Sequence, residues 1–302
     1  NNVGISTGYG AKVTTTNHLP DKTYPKPNNT VWICVPDGSG GWYIGGDFTA
    51  IGTTVRNKLA HINADGSLDA SWNPNANFTV YSIAVSGSDI YVGGSFTTIG
   101  GVTFNRIARL NNTTGVADAS WNPSISGTVF SIAVSGTYIY VGGVFAIIGG
   151  VTYNKIARIN DATGVADASW NPNINNSVFS IAVSEDYIYV GGAFNLIGAL
   201  TRNRIARFNK LTGALDGTWL PEASSIVRTM IIKGTYLFVG GDFLNIGGLA
   251  RSRLAKLSMT GTGAADASWN PNAGASVYSI CDGGSDIYVG GTFTTIGGQS
   301  RR

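Results

Sequence analysis

The side chains able to do chemistry are few in this 302-residue chain, and most of them recur at a fixed interval. There are two histidines (His18, His61), two cysteines (Cys34, Cys281) and two glutamates (Glu185, Glu222). No CxxC pair exists, which argues against zinc or thiol chemistry. No Ser-His-Asp set assembles from these residues. The aspartates Asp21, Asp69, Asp118, Asp167, Asp216 and Asp266 form a repeated series. A ring of carboxylates could hold a metal. The stronger reading is structural, because Asp118 should lie across a hairpin from Arg109 and Asp167 from Arg158, which suits cross-strand ion pairs. Turns such as Asn63-Ala64-Asp65-Gly66 lack the glutamate-terminated loop of a calcium site. No cofactor and no metal are expected.

Cations and aromatics form a second repeated series: Arg56, Phe104, Tyr153, Arg202, Arg251 and Arg301. Lys58, Arg106, Lys155, Arg204 and Arg253 follow two positions later. Arginine grips carboxylate or sulfate bidentately, and aromatic faces stack on sugar rings. This set therefore reads as a surface for an acidic glycan, or else as side chains that cover loop backbone. A third series is Trp32, Tyr81, Phe130, Phe179, Arg228 and Tyr278. It reads as an inner ring around a channel mouth, where Arg228 is the one unusual member and a small ligand could sit. Asp47 and Asp242 interrupt another position that is otherwise Ser, Val, Ala or Thr; they could mark a local polar site, although isolated solvated aspartates are the stronger reading.

These series share one period. The motif YIGGDF, YVGGSF, YVGGVF, YVGGAF, FVGGDF, YVGGTF puts its first glycine at 45, 93, 142, 191, 240 and 290. Trp72, Trp121, Trp170, Trp219 and Trp269 keep the same interval. One unit reads TVYSIAVSG, DIYVGGSF, NRIARLN, ADASWNPN: short β-branched or aromatic runs bounded by Gly, Asn, Asp or Pro. That predicts four strands, a to d, and repeats of about 40–50 residues with four strands are propeller blades. Glycine weakens a strand, so the double glycine in strand b predicts close approach by bulky neighbours, with the repeated Trp, Tyr and Phe as fillers. A simple bulge is the other reading.

The expected fold is all-β: a six-bladed β-propeller of four-stranded antiparallel blades, forming one domain over residues 1–302. The sixth hairpin stops at TFTTIGGQSRR. Ala11–Tyr24 aligns with Leu59–Trp72, placing Asp21 on Asp69 and Tyr24 on Trp72. Residues 10–27 are therefore expected to complete blade six and close the ring, leaving no free sheet edge. The double glycine and the fourth-strand Trp resemble kelch repeats. The fuller pattern GG-x-F-x-x-IGG, NRIARLN, TG-x-x-D-x-SWNPN more closely resembles the bacterial delta-60 repeat. That resemblance implies a propeller in large bacterial surface or secreted proteins, with no defined reaction and no catalytic residues. The unit with TWLPEASS and RTMIIKG departs most from the pattern.

Composition agrees with an all-β chain. Apolar residues make up 43% and charged residues only 12%, about half the usual share. A net charge of +3 is too small to argue for nucleic acid, and no apolar run is long enough to span a membrane as a helix. Few lysines beside many Asn, Thr and Ser suggest an extracellular bacterial protein. Cys34 and Cys281 align one position apart in strand a and are expected as buried thiols, unbonded to each other. The Asn-x-Ser/Thr matches at 28, 77, 111, 112 and 175 arise readily by chance in such a composition. The expected function is a non-catalytic extracellular binding or adhesion module, with an acidic or other surface glycan, or a surface protein, as partner on the longer-loop face. The alternative is a structural or protein-interaction ring, a spacer or assembly subunit, within a larger surface protein. An enzyme is disfavoured for want of converging carboxylates, histidines or metal.

Overall fold

The computed structural model describes residues 25–300, and every described element is a strand. Expectations that rest on residues 1–24, and on Arg301, lie outside the described residues. The chain forms two compact units. Among the described residues, one unit holds 25–134 together with 161–165, and the other holds 135–160 together with 166–300.

In the first unit, strands a, b and c form the sheet Val31–Pro36, Trp42–Gly46, Leu59–Ile62, then the sheet Val80–Ser86, Asp89–Gly94, Ile107–Asn111. The second unit repeats the arrangement in Val178–Val183, Tyr187–Gly192, Ile205–Asn209 and in Val227–Lys233, Tyr236–Gly241, Leu254–Ser258. It also contains the pair Tyr138–Gly143 with Ile156–Asn160, and the hairpin Val277–Gly283 with Asp286–Gly291. All of these pairings are antiparallel. Strand b is buried on both faces, with Ile90, Tyr91 and Val92 in the first unit and Ile188, Tyr189 and Val190 in the second, and the segment-d indoles Trp72, Trp121, Trp170 and Trp219 are buried as well.

The fourth strand does not form as one. Segment d makes a single bridge, such as Leu110 with Ala117 or Phe208 with Leu215, and then leaves the sheet. Its aspartate explains this. Asp118 Oδ1 accepts the backbone N–H of Ser120 at 2.8 Å, and Asp216 Oδ1 accepts that of Thr218 at 2.8 Å. An Asx turn of this kind competes with the ladder and bends the chain away. The b-to-c connection, expected as a loop, is a hairpin instead. Thr98–Ile99 pairs with Val102–Thr103 around Gly100-Gly101, whose φ values are 59° and 81°. Two central residues with positive φ make the turn that matches strand twist, and a Gly-Gly between alternating residues is the sequence signal for it.

The double glycine proves to answer two needs. A Cβ on Gly93 would lie 2.6 Å from Val129 Cγ1, and one on Gly191 would lie 2.4 Å from Val227 Cγ1. The first glycine thus seats a valine from the first strand of the next sheet. Valine, not Trp, Tyr or Phe, is the filler. A Cβ on Gly94 would lie 2.1 Å from the Thr79 carbonyl oxygen, and one on Gly192 would lie 2.1 Å from that of Ser177. The second glycine faces its own strand a, where the register slips. Val80 pairs with Gly94 and Ser82 with Gly93, which leaves Tyr81 as the extra residue of a β-bulge. Trp32, Phe179, Arg228 and Tyr278 hold the same bulge position.

Gly191→Ala should destabilise the fold by about 1–3 kcal/mol through overpacking. Combining it with Val227→Ala should cost less than the sum of the two single changes, as read by urea denaturation. Strict additivity would rule out the seat. Gly192→Ala should cost more than Gly191→Ala, because a carbonyl in the main chain cannot rotate aside.

Candidate functional site

The series Arg56, Phe104, Tyr153, Arg202, Arg251, expected to face a ligand, turns inward. Phe104 is fully buried, and Tyr153 and Arg56 nearly so. Arg56 donates through Nη1 to the Val55 carbonyl at 2.9 Å and through Nη2 to those of Asp69 and Ala70 at 3.0 and 2.9 Å. Arg251 does the same to Ala250, Asp266 and Ala267. The Tyr153 hydroxyl donates to the Ala166 carbonyl at 3.1 Å. Arg202 is half-buried and donates to the Thr201 carbonyl at 2.8 Å. The c-to-d backbone leaves carbonyls that need donors, and this position supplies them. Covering loop backbone is therefore the work of this series among the described residues. A ring at 0% exposure, as at Phe104, cannot stack on a sugar.

The cations two positions later have a local role too. Lys58, Arg106, Lys155, Arg204 and Arg253 all have left-handed backbone, with φ between 64° and 70°. Lys58 Nζ donates to the Asp47 carbonyl at 2.8 Å, and Lys155 Nζ to that of Val144 at 3.2 Å.

The repeated aspartates pair as expected. Arg109 pairs with Asp118, Arg158 with Asp167 at 2.5 Å, Arg207 with Asp216 at 2.5 Å and Lys256 with Asp266 at 2.7 Å. The arginines also reach the c-to-d turn of the next repeat: Arg109 Nη1 donates to the Asp161 carbonyl at 2.9 Å, and Arg158 Nη1 to those of Lys210 and Leu211 at 2.9 Å. Arg158 lies 4.3 Å over the Tyr138 ring and Arg207 4.1 Å over that of Tyr187. In the first repeat a histidine replaces the arginine. His61 Nδ1 sits 3.0 Å from Asp69 and Nε2 3.1 Å from Asp37, with its ring stacked 4.5 Å from Tyr43. Both ring nitrogens face carboxylates, so neither is presented to a serine or a substrate. Among the described residues, no three His, Cys, Asp or Glu side chains converge to hold a metal ion. The two cysteines are exposed on their strands, not buried. Cys34 holds the place of Ile83 and Cys281 that of Ala84 in the pairing with strand b, so they stand one position apart and on opposite faces of strand a.

The bulge series remains: Trp32 and Tyr278 are exposed, and Tyr81, Phe130, Phe179 and Arg228 are half-buried. A bulge re-aims a side chain away from the pleat. In the first unit Trp32 is 52% exposed, its ring 5.9 Å from Tyr81, and Tyr81 stands 5.3 Å from Phe130. Trp32 Nε1 donates to Asp47 Oδ2 at 2.8 Å, and Asp47 Oδ1 accepts from the Thr79 hydroxyl. The indole is therefore fixed by its edge while its face stays open. In the second unit Arg228 is the equivalent residue. Its Nε and Nη2 donate to Asp242 Oδ1 and Oδ2 at 2.8 and 2.7 Å, and the guanidinium lies 4.8 Å over the Tyr278 ring. Burial pushes the Asp242 carboxyl up, but the hydrogen bonds from Arg228 and Ser276 outweigh it and hold the group below its ordinary range.

The Asp47–Trp32 and Asp242–Arg228 pairs escaped the sequence reading, although a signal existed. Only the two repeats with aspartate after the double glycine carry an N–H donor at the bulge. The others place Tyr81, Phe130, Phe179 or Tyr278 there, beside Ser95, Val144, Ala193 or Thr292.

Comparison with known proteins agrees with this architecture. The family described as a domain of unknown function (DUF5122), β-propeller, matches residues 36–71, 89–120 and 188–218. These three segments are similar to β-propeller repeats. The crystal structure of the computationally designed Ika8 protein superposes with a TM-score of 0.61 at 12% identity, over 98% of this chain and 81% of that one. The extracellular domain of BT4673, a candidate one-component system from B. thetaiotaomicron, superposes with a TM-score of 0.55 at 19% identity. That match covers 86% of this chain and 30% of the other. At these identities the likeness is one of fold. No curated protein matches the chain. The match to propeller repeats stands without the delta-60 label.

The aspartates give the fold a defined acid sensitivity. Hydrogen bonds from Ser120 and Arg109 hold the Asp118 carboxyl down at about 2. Asp37 and Asp69 also lie at about 2, their burial outweighed by hydrogen bonds from serine and His61. A carboxylate with a lowered folded-state pKa stabilises fully above its unfolded value, about 3.9, and loses that contribution as pH falls through the folded value. Melting temperature should hold to about pH 4 and fall steeply towards pH 2. The deficit of Asp118→Asn relative to wild type should shrink over the same window. A flat profile from pH 5 to 2 would contradict the assignment.

Proposed function

We propose that this chain is a non-catalytic binding module whose ligand stacks on the bulge series, with Trp32 as the principal contact. The observation that carries the reading is Trp32 itself: half-exposed, yet held in one orientation by Asp47. A large exposed indole normally costs solvation and mobility. Fixing it beforehand reduces the ordering cost of binding. Tyr81 and Phe130 extend the row within the first unit. A flat ligand with C–H faces suits such a row, and a glycan ring is the class that supplies one at a surface. The acid-selective part of the expectation loses its support. Most of its arginines are turned to main-chain carbonyls, and Arg228 is neutralised by Asp242. The BT4673 likeness, to an extracellular domain, supports an extracellular location.

In sequence the chain supports six repeats, the sixth completed by residues 10–27, and we include that arrangement in the proposal. Two carboxylates or a nucleophile beside a base would be needed for hydrolysis, and the bulge series offers neither.

Binding to a glycan array, followed by titration of tryptophan fluorescence, tests the reading. Trp72, Trp121, Trp170 and Trp219 are buried at 0–1% exposure, but Trp42 is 39% exposed and Trp269 half-buried, so the ligand-dependent change is assigned to Trp32 by its loss in Trp32→Phe. Trp32→Ala should weaken binding about tenfold or more, the loss of roughly one stacking contact. Asp47→Ser, which frees the indole, should weaken it less. An array hit unaffected by Trp32→Ala, or no glycan bound by the wild type, refutes the site. Cleavage of the bound glycan refutes its non-catalytic character.

A further inference from the structure

The two departures in the bulge series differ in chemistry. Trp32 offers a ring, whereas Arg228 offers hydrogen-bond donors. Arg228 is the extra residue in strand a, Val227–Lys233, and Asp242 follows the double glycine of the same repeat. A Cβ on Gly240 would lie 2.6 Å from Val277 Cγ1, and this seat brings the next bulge residue, Tyr278, beside Arg228.

Asp242 occupies one edge of the guanidinium. Nε and Nη2 of Arg228 donate to its two carboxylate oxygens. A guanidinium carries five N–H donors in one plane, so both donors of Nη1 and the second donor of Nη2 remain. Among the described residues they meet no acceptor, and the side chain is 30% exposed, so this edge opens to solvent. The carboxylate on one side and the Tyr278 ring beneath hold it in one orientation, which reduces the ordering cost of binding. Packing alone would be met by the Tyr or Phe that the other repeats carry.

The carboxylate decides what such an edge selects. Asp242 accepts two hydrogen bonds from Arg228 and one from Ser276, and a carboxylate has about four lone-pair sites, so acceptor capacity remains beside the free donors. Two vicinal hydroxyls can accept from Arg228 and donate to Asp242 at the same time. A carboxylate or sulfate only accepts, and it would set a second anion across the guanidinium from Asp242. Arg253, the other charge acting on Asp242, directs Nη1 to the Ala273 carbonyl at 3.0 Å. The exposed part of the Tyr278 ring supplies apolar surface for the C–H groups of a sugar.

We propose that Arg228, Asp242 and Tyr278 form a subsite of the second unit that selects a neutral sugar with vicinal hydroxyls over an acidic one. The subsite rests on the reading that the bulge series binds a glycan, and it adds the class of glycan.

The probe is an array that carries neutral hexose oligosaccharides beside uronic-acid oligosaccharides of the same linkages. Wild type should retain neutral members and not their acidic counterparts. The double variant Arg228→Tyr/Asp242→Ser installs the pair found in an earlier repeat as Tyr81 and Ser95, so it should keep its melting temperature. It should bind neutral members about tenfold more weakly, the loss of hydrogen bonds to a charged group. Asp242→Asn leaves the cation uncompensated, so the ratio of neutral to acidic binding should fall. A part in packing alone would lower the melting temperature and leave that ratio unchanged. Acidic members bound as tightly as neutral ones by wild type, a double variant that binds like wild type, or a ratio unmoved by Asp242→Asn overturns the proposal. If Trp32→Ala weakens binding and the double variant does not, the stacking site stands and this subsite falls. The reverse pattern keeps the subsite and removes Trp32 as the principal contact. Wild type that retains no member of the array removes both.

Discussion

The constraint on which the structure depends is the close approach permitted by the two glycines of strand b. One accepts a valine from the neighbouring sheet, and the other accepts a carbonyl from its own sheet. Neither contact tolerates a methyl group at the distances found, 2.4 Å from Val227 Cγ1 at Gly191 and 2.1 Å from the Ser177 carbonyl at Gly192. The first contact sets how sheets stack. The second holds the bulge that sends one side chain per repeat out of the pleat. Stacking and display are thus coupled through adjacent residues. A sequence that kept only the first glycine would keep the seat for the valine and lose the close approach that fits the bulge.

Around that seat, the cation and aspartate of each repeat act as a second fastener. The aspartate does three things at once: it caps the turn that ends segment d, accepts the cation, and orients it over aromatic rings. Arg158 then spans Asp167, the Tyr138 ring and the turn at Lys210. A half-buried ion pair is weak evidence for stability by itself. Here the guanidinium is satisfied by carbonyls as well as by carboxylate, which offsets its desolvation. His61 fills the same place with two carboxylates, Asp37 and Asp69, in contact with its two nitrogens.

How much of this was legible depended on whether a residue's role was local. Period, strand order, hairpin turns and the Arg109–Asp118 pairing follow from spacing and turn chemistry, and all appear in the structure. Segment d failed because its alternation resembled a strand while Asp118 and Ser120 favoured an Asx turn, and short-range capping prevailed. The Arg56 series failed for a different reason. Arginine and tyrosine are read as surface residues, yet a hairpin that folds over its own repeat creates unpaired carbonyls, and long donors are what reach them. No spacing rule reports where a carbonyl lacks a partner. The filler of the glycine gap was misjudged by size. A β-branched side chain fits where an indole would not.

The repeats also indicate where function can lie in such a chain. A position identical in every repeat answers to the fold, since each sheet makes the same contacts with the next. Binding specificity needs asymmetry, so it belongs to positions where the repeat is exposed and broken together. The bulge meets both conditions: Trp32 and Arg228 replace the usual Tyr or Phe there, and each brings its own aspartate. The aspartate changes with the bulge residue although 15 residues separate Trp32 from Asp47 and 14 separate Arg228 from Asp242. A paired change across two strands preserves an oriented side chain, not a packed one, because packing alone would be met by the phenylalanine found in neighbouring repeats. The fold gains nothing evident from this departure, and that is the physical reason to look there for what the protein binds.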